Sequence, residues 1–170
     1  MDRYLIRCLT GADLPLLRRW RQAPHVLRWW PQEGAEPPGQ VDPGTVPSIV
    51  ELAGRPFAYI QDYGVHDEPD HHFAYLPPGA RGIDQFIGEA DMLGQGHGPA
   101  FIDQHVRSLF GAGAPAVGTD PHPDNRRAIR AYEKAGFRIA GGPLDTPWGR
   151  ALLMERRRDQ AKCDTPRALT

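Results

Sequence analysis

The chain has 170 residues, 40% of them hydrophobic and 24% charged, values typical of one soluble domain with a buried core. Its apolar runs are a few residues long, far short of the ~20 needed to cross a bilayer, which excludes a membrane-spanning protein. The formal net charge of −1 gives no support to general binding of polyanions such as nucleic acids.

Hydrophobic periodicity and turn residues predict the elements of the N-terminal half. A strand is expected over residues 4–9 and a helix over 13–22, opened by the capping-box sequence Thr10–Asp13. A long loop rich in Pro and Gly follows and carries the pair Trp29-Trp30. This half ends with three further elements: a second helix over 45–53, a strand over 55–64 and an acidic, irregular connector over 65–82.

The C-terminal half alternates strands and helices, which is an α/β order. Residues 82–89 form a strand that is apolar or nearly so on both faces, as expected in a sheet covered on both sides. A glycine loop then leads into the remaining elements: a helix over 99–110, a strand over 114–119, a helix over 124–135, and closing strands over 137–140 and 151–155. Residues 1–158 are expected to form one domain, followed by a disordered tail over 159–170.

The cysteines and the N-terminus bear on the location of the protein. Cys8 and Cys163 lie in neither a metal-binding nor a redox spacing. The N-terminal residues lack the apolar segment of a secretory signal peptide. We therefore expect a reduced, cytoplasmic protein that holds no metal.

Charge is distributed unevenly along the chain. Residues 60–124 hold ten acidic residues and only two basic ones, Arg81 and Arg107. Residues 125–138 reverse the sign, with five basic residues against Glu133. Such a distribution fits a protein that binds one cationic and one anionic ligand, and it fits scatter over a solvated surface equally well.

The loop Gly94-Gln95-Gly96-His97-Gly98 stands between a predicted strand and a predicted helix. Backbone N–H groups at such a turn, with the positive end of the helix behind them, form an anion site. Glycines let a phosphate approach the main chain without a Cβ in the way. The loop lacks the Lys-Ser/Thr of a P-loop and the spacing of a dinucleotide fingerprint, so a plain turn and a phosphate cradle both fit.

A second motif, NRRAIRAYEKAGF, covers residues 125–137. Together with residues 93–98 it resembles the acetyl-CoA motifs of the GNAT superfamily of N-acetyltransferases, R/Q-x-x-G-x-G/A and N-x-x-A-x-x-x-Y-x-K-x-G-F. The first motif departs only at Leu93, where the family carries Arg or Gln. The second agrees at six positions: Asn125, Ala128, Tyr132, Lys134, Gly136 and Phe137.

This resemblance implies an α/β GNAT fold, in which helices flank a mixed central β-sheet. It places acetyl-CoA in the crevice between the fourth and fifth strands of a single GNAT domain. The implied acetyl-CoA contacts are Ile87, Leu93, Gly94, Gln95, Gly96, His97, Gly98, Asn125, Ala128 and Tyr132. The basic stripe Arg126, Arg130 and Lys134 is interpreted as a solvated face in preference to a contact with a CoA phosphate.

A closer resemblance covers residues 3–154. The strand RGIDQ at 81–85, the segment TDPHPDNRRAIRAYEKAGF at 119–137 and the tryptophan pair are similar to one subgroup of aminoglycoside 6′-N-acetyltransferases, which are antibiotic-resistance enzymes. The resemblance implies that Asp84 is the general base or the electrostatic anchor of the acceptor amine. It also implies that Tyr132 protonates the departing CoA thiolate. The implied substrate contacts are Asp120, Trp29 and Trp30, with Asp67 and Glu68 as amine ligands or, as we favour, part of a solvated loop.

The chemistry leaves alternatives for both catalytic candidates. An ordinary Asp pKa near ~3.9 is low for a base, so burial or a relay water would have to help Asp84. Asp84 would otherwise cap a loop or pair with Arg81. Tyr132 would otherwise be a core aromatic residue. Oxyanion stabilisation would come from a backbone N–H within residues 86–88.

Departures from the subgroup keep other functions open. They are the acidic connector 65–72, His122 and Asp124, and Trp148 where the subgroup can carry an acid. A siderophore-type acyltransferase would accept a hydroxylamine, although such enzymes tend to carry His at the position of Asp84. A non-catalytic acyl-CoA-binding module is allowed by Leu93. We expect a monomer or homodimer that binds acetyl-CoA and a cationic amine, without nucleic-acid or membrane partners.

Overall fold

A computed structural model describes residues 2–30 and 42–159. Within them a seven-stranded sheet has the strand order β1-β2-β3-β4-β5-β9-β6, and β7 and β8 form a separate hairpin. The strands are β1 Leu5–Cys8, β2 Val46–Leu52, β3 Arg55–Gly64, β4 Arg81–Ile87, β5 Ala116–Thr119, β6 Arg138–Ile139, β7 Leu144–Thr146, β8 Gly149–Ala151 and β9 Met154–Arg157. The helices are α1 Leu14–Arg21, α2 Pro24–Leu27, α3 His97–Gly111 and α4 Arg126–Lys134.

The sheet is mixed, as expected, because β4 and β5 run parallel while their neighbours pair antiparallel. Helix α3 is the crossover between these two parallel strands. Its residues Phe101, Ile102 and Val106 recur at helical spacing and are fully buried against one face of the sheet. Helix α1 covers the other face, where Trp20 packs with Tyr59 and other aromatic side chains.

The helix expected over residues 45–53 is wrong, because this segment forms strand β2. Its apolar residues do not alternate, since Ile49 lies in the core under α1 and Val50 in the core under α3, and both are fully buried. A register shift between Val50 and Glu51 breaks the two-residue period further. Because this strand is covered on both faces, its apolar residues have a spacing that resembles that of a helix.

Other boundaries differ less. The strand expected over 55–64 is confirmed as β3, and the helix expected over 99–110 begins two residues earlier, at His97. Helix α2 and the hairpin β7–β8 were not expected. The predicted tail begins at Asp159, and its remaining residues lie outside the described part of the chain, so the domain boundary at 158 stays a prediction.

The acidic connector between β3 and β4 is less irregular in its packing than expected. Asp67, Glu68 and Asp70 are exposed. The following segment turns inward, and Phe73 and Leu76 join a buried cluster with residues of β5 and the hairpin. Residues 71–80 thus cover the sheet beside the C-terminal end of β5. None of the helices in the described residues is long and apolar enough to span a membrane.

Candidate active site

The crevice of the molecule opens where β4 and β5 separate. The two strands pair through Arg81 with Val117 and Gly82 with Gly118. Beyond that point β4 continues to Ile87, held only on its other side by β3. The gap forms a cleft of about 700 Å³, lined by the strand ends, α2, the glycine loop and α4. This volume is typical of small-molecule sites.

The glycine loop forms one wall of this cleft. Gly94 and Gly96 have φ angles of +76° and +81°, in the left-handed region that favours glycine. Gly96 caps the 15-residue helix α3, and a Cβ there would meet nothing within 4 Å. The main chain is therefore open to the cleft, with the positive end of α3 behind it. Such a wall suits a diphosphate.

Two residues of the loop turn their side chains away from the cleft. The Gln95 amide donates to the Asp91 carbonyl. His97 is 5% exposed, and its Nδ1 lies 3.0 Å from the Tyr4 hydroxyl in the core. Only the main chain of Gln95 and His97 is available to a ligand in the loop. By contrast, Leu93, Gly94, Gly96 and Gly98 line the cleft.

Helix α4 forms the opposite wall. The Asn125 side chain caps it, because Oδ1 accepts the Ala128 N–H at 3.1 Å. Asn125, Ala128 and Tyr132 line the cleft, as does Ile87 at the end of β4. The basic stripe consists of Arg126, Arg130 and Lys134. These side chains are exposed and lie at the rim of the cleft.

Asp84 projects from β4 toward the face covered by α1. Its Oδ2 accepts a 3.0 Å hydrogen bond from Gln61 of β3. Burial, and then the negative charge of Asp120, raise the pKa of Asp84 to about 7. Pairing with Arg81 is wrong, because the Arg81 Nε donates to Asp62 at 2.9 Å. A carboxylate with this pKa is matched to proton transfer near neutral pH.

Tyr132 reaches β4 from the other face. Gln85 lies next to Asp84 on the strand and points oppositely, and its amide donates to the Tyr132 hydroxyl at 3.5 Å. The Tyr132 ring is 4% exposed and packs edge-on against Phe137. Burial, followed by the charge of Asp84, raises the Tyr132 pKa above its ordinary value. Tyr132 is therefore both a core aromatic and a protonated hydroxyl at the cleft.

Asp120 directly follows β5, on the Asp84 side of the cleft. Its Oδ2 lies 3.0 Å from Nε2 of His72, whose side chain is 7% exposed. The His72 ring stacks on His71 at 4.2 Å, and the Trp148 ring lies 5.8 Å away. Sequence reasoning missed both histidines. The change from acidic to aromatic residues within the connector was the only signal for them.

The tryptophan pair covers the same end of the cleft, and both residues line it. Trp30 packs edge-on against Phe86 at 5.2 Å. Trp29 lies 5.7 Å from the His122 ring and beneath the Arg28 guanidinium. Asp67 and Glu68 are not among the residues that line the cleft. The Asp67 carboxylate lies instead close to Gly64 and Gly44, beyond the far end of β3.

Two further features at or beside the cleft were not expected from sequence. His25 of α2 places Nε2 3.0 Å from the Ile87 carbonyl oxygen, at the free edge of β4. Gln61 and Tyr59 form a hydrogen-bonded chain that leads to Asp84. Within the described residues, no group of three or more His, Cys, Asp or Glu side chains is arranged to hold a metal ion.

These elements match a known family. A family model described as an acetyltransferase (GNAT) domain matches residues 10–142, a range that includes the crevice, the glycine loop and α4. The chain therefore belongs to the GNAT superfamily of acetyltransferases, and its fold is the mixed α/β fold expected from the two motifs.

Within that superfamily, the chain is similar to aminoglycoside 6′-N-acetyltransferases over nearly its whole length. It is 35% identical to the aminoglycoside N(6′)-acetyltransferase type 1 of Klebsiella pneumoniae, over 92% of this chain and 84% of the relative. The values are the same for the protein of that name from Serratia marcescens.

Solved structures agree with this placement. AAC(6′)-Ib in complex with paromomycin and acetyl-CoA has a TM-score of 0.83 and 35% identity, covering 99% of this chain and 100% of that one. AAC(6′)-Ib in complex with coenzyme A and kanamycin has a TM-score of 0.82 and 34% identity, covering 95% and 98%. The closer resemblance expected from the RGIDQ strand is confirmed.

Proposed function

We propose that this enzyme transfers acetyl from acetyl-CoA to the 6′-amine of aminoglycoside antibiotics, by direct attack in a ternary complex. One observation carries the proposal: Asp84 and Asp120 face the same end of a cleft whose other end is a glycine loop before α3. The first end suits a polycationic amine and the second suits a diphosphate. The relatives that carry this name support the choice of acceptor.

In this proposal Asp84 takes the proton that the amine sheds as its nitrogen attacks the thioester carbonyl. A C–N bond forms and the C–S bond breaks, which leaves a CoA thiolate. Tyr132 supplies the proton to that thiolate, because burial keeps its hydroxyl protonated. Asp120 provides a second negative charge for the amino sugar, and Trp29 and Trp30 supply apolar walls. None of the described cleft residues is a cysteine, which favours direct attack.

Backbone groups of this protein would hold acetyl-CoA. The open N–H groups of Gly94–Gly98 receive the diphosphate, and the basic residues at the rim of α4 lie within the same cleft. The free edge of β4 offers N–H groups to the pantetheine and to the developing oxyanion. Since acetyl-CoA is a cytoplasmic metabolite, we place the enzyme in the cytoplasm.

Neomycin and paromomycin test the proposal sharply, because they differ only in carrying an amine or a hydroxyl at position 6′. We expect thiol release from acetyl-CoA with neomycin, one acetyl group at its 6′-nitrogen by mass spectrometry and NMR, and no turnover of paromomycin. Turnover of both sugars would contradict transfer to the 6′-amine. Turnover of hydroxylysine without amino sugars would favour the siderophore-type alternative. Tight CoA binding without turnover of any amine would favour a binding module.

A further inference from the structure

His72 is the buried partner of Asp120. It lies in the connector between β3 and β4, and its imidazole packs between the rings of His71 and Phe73, at 4.2 Å and 4.6 Å. Nε2 is 3.0 Å from Asp120 Oδ2, and the side chain is 7% exposed. Neither ring nitrogen meets hydrogen-bond geometry with any described residue. Within the described structure, the polar group in close contact with this imidazole is therefore the Asp120 carboxylate.

The charge balance of the site depends on this imidazole. The negative charge of Asp120 disfavours the ionised form of Asp84, and the charge of His72 opposes that effect. Arg81, the nearest arginine in sequence, is already paired with Asp62. The positive charge that favours the ionised form of Asp84 thus comes from the connector.

His71, which stacks on His72, does not supply this positive charge. Burial and the charge of His72 lower the pKa of His71 to about 4. Its Nδ1 accepts the Phe73 N–H at 3.1 Å, which also requires an unprotonated nitrogen. Tyr63 of β3 packs against His71 and stays protonated, because burial and the two carboxylates raise its pKa. The titratable groups around His72 are thus His71, Tyr63, Asp84 and Asp120.

We propose that His72 is a positioning residue of the acceptor site: it holds the Asp120 carboxylate toward the cleft, and the positive charge of its protonated imidazole offsets the negative charges of the Asp84 and Asp120 carboxylates. The proposal rests on the proposed function for its link to amine acetylation. The effect of the His72 charge on the two carboxylates is a property of the free enzyme and does not depend on the acceptor. His72 acts through the two carboxylates and does not itself touch the acceptor.

Two substitutions separate orientation from charge. His72→Gln keeps an N–H donor of similar reach without a positive charge, and His72→Phe removes both. His66→Gln is the matched control, because His66 is an exposed histidine of the same connector. For each protein, kcat and KM for neomycin are measured across pH. The titration of both carboxylates is followed in the free enzyme by 13C NMR of labelled aspartate, with Asp84→Asn and Asp120→Asn spectra for assignment.

We expect His72→Gln to move the acid limb of kcat/KM upward by roughly one pH unit, and the Asp84 carboxylate titration with it. At alkaline pH its kcat should approach that of the wild type. His72→Phe should show the same shift and also a raised KM for neomycin at every pH, because the Asp120 carboxylate loses the polar contact that orients it. His66→Gln should match the wild type in both readouts.

Unchanged carboxylate titrations in His72→Gln and His72→Phe would overturn the proposal, whatever their turnover. An equal loss of activity at all pH values, with unchanged titrations, would mark a merely structural role and would also overturn it. The NMR titration needs no acceptor. If the wild type acetylated no amino sugar, the proposed function would fail while the role of His72 was still decided.

Discussion

Gln61 and Asp84 are direct register partners on β3 and β4, and the Gln61 amide donates a 3.0 Å hydrogen bond to the Asp84 carboxylate. The orientation of that amide is fixed by a second hydrogen bond, since the Tyr59 hydroxyl donates to the Gln61 Oε1 at 2.6 Å. The carboxylate is thus held by a chain of residues on rigid strands. This contact also opposes the rise in the Asp84 pKa caused by burial and by Asp120.

Replacing Gln61 by Leu should raise the Asp84 pKa above about 7, because a hydrogen bond to the ionised form is lost. A smaller fraction of Asp84 is then ionised at neutral pH. We expect kcat/KM for neomycin at pH 7 to fall about tenfold and to recover toward alkaline pH. The pH dependence of kcat/KM measures this. Gln22→Leu, at an exposed position after α1, is the control, and an equal loss at every pH would contradict the argument.

Tyr132→Phe keeps the ring packing on Phe137 and removes the hydroxyl. If the hydroxyl protonates the thiolate, kcat should fall by about a hundredfold while KM for both substrates stays close to the wild-type value. Steady-state thiol release measures both constants. Tyr75→Phe, at an exposed position away from the cleft, should leave them unchanged. An unaltered kcat in Tyr132→Phe would reduce Tyr132 to a core aromatic residue.

Gly96→Ala tests the glycine loop. An alanine at a φ of +81° is strained by about 1 kcal/mol, and its methyl group enters the space in front of the loop. We expect the Kd for CoA, measured by calorimetry, to rise about tenfold or more while the KM for neomycin changes little. Gly111→Ala, at the other end of α3, has open space and no positive φ. Equal CoA affinity in both variants would argue against a diphosphate at this loop.

Asp62 links β3, β4 and α3 away from the chemistry. Burial acts to raise its pKa, but the nearby His105 imidazole, 3.3 Å away, and the hydrogen bond from Arg81 outweigh burial and hold the pKa below its ordinary value. A carboxylate with a depressed folded pKa contributes stability above its unfolded pKa of ~3.9, and this stability is lost as pH falls through the folded pKa. Asp62→Asn should therefore lower the free energy of unfolding at pH 7 by about 3 kcal/mol.

Urea titrations at several pH values measure this effect. The difference in unfolding free energy between wild type and Asp62→Asn should narrow below about pH 4, because Asp62 then binds a proton in the unfolded wild-type chain, while the folded protein takes up that proton only at lower pH. Asp159→Asn is an exposed control that should match the wild type throughout. A gap between wild type and Asp62→Asn that did not change with pH would contradict the electrostatic origin.

The parts of the site that sequence predicted are those with local signatures. The glycine loop, the NRRAIRAYEKAGF motif and the RGIDQ strand each lie within a short segment, and residues of all three line one cleft. The strand β2 was missed for a physical reason: both of its faces are buried, so Ile49 and Val50 follow each other without alternation.

The parts that sequence could not predict depend on contacts between distant segments. His72 and Asp120 are brought together by the packing of the connector against β5 and the hairpin. Pairing with Arg81, three residues away, was one alternative that the sequence left open for Asp84. Side chains alternate along a strand, so residues 81 and 84 project to opposite faces, and Gln61 of the neighbouring strand takes the place of Arg81.

The most direct test of the central claim is the pH dependence of kcat/KM for neomycin in the wild type and in Asp84→Asn. The wild type should show an acid limb near the Asp84 pKa of about 7. Asp84→Asn should bind CoA normally, lose at least about a hundredfold in kcat/KM and lack that limb. An Asp84→Asn variant with the wild-type rate and the wild-type acid limb would contradict the assignment of Asp84 as the base of the reaction.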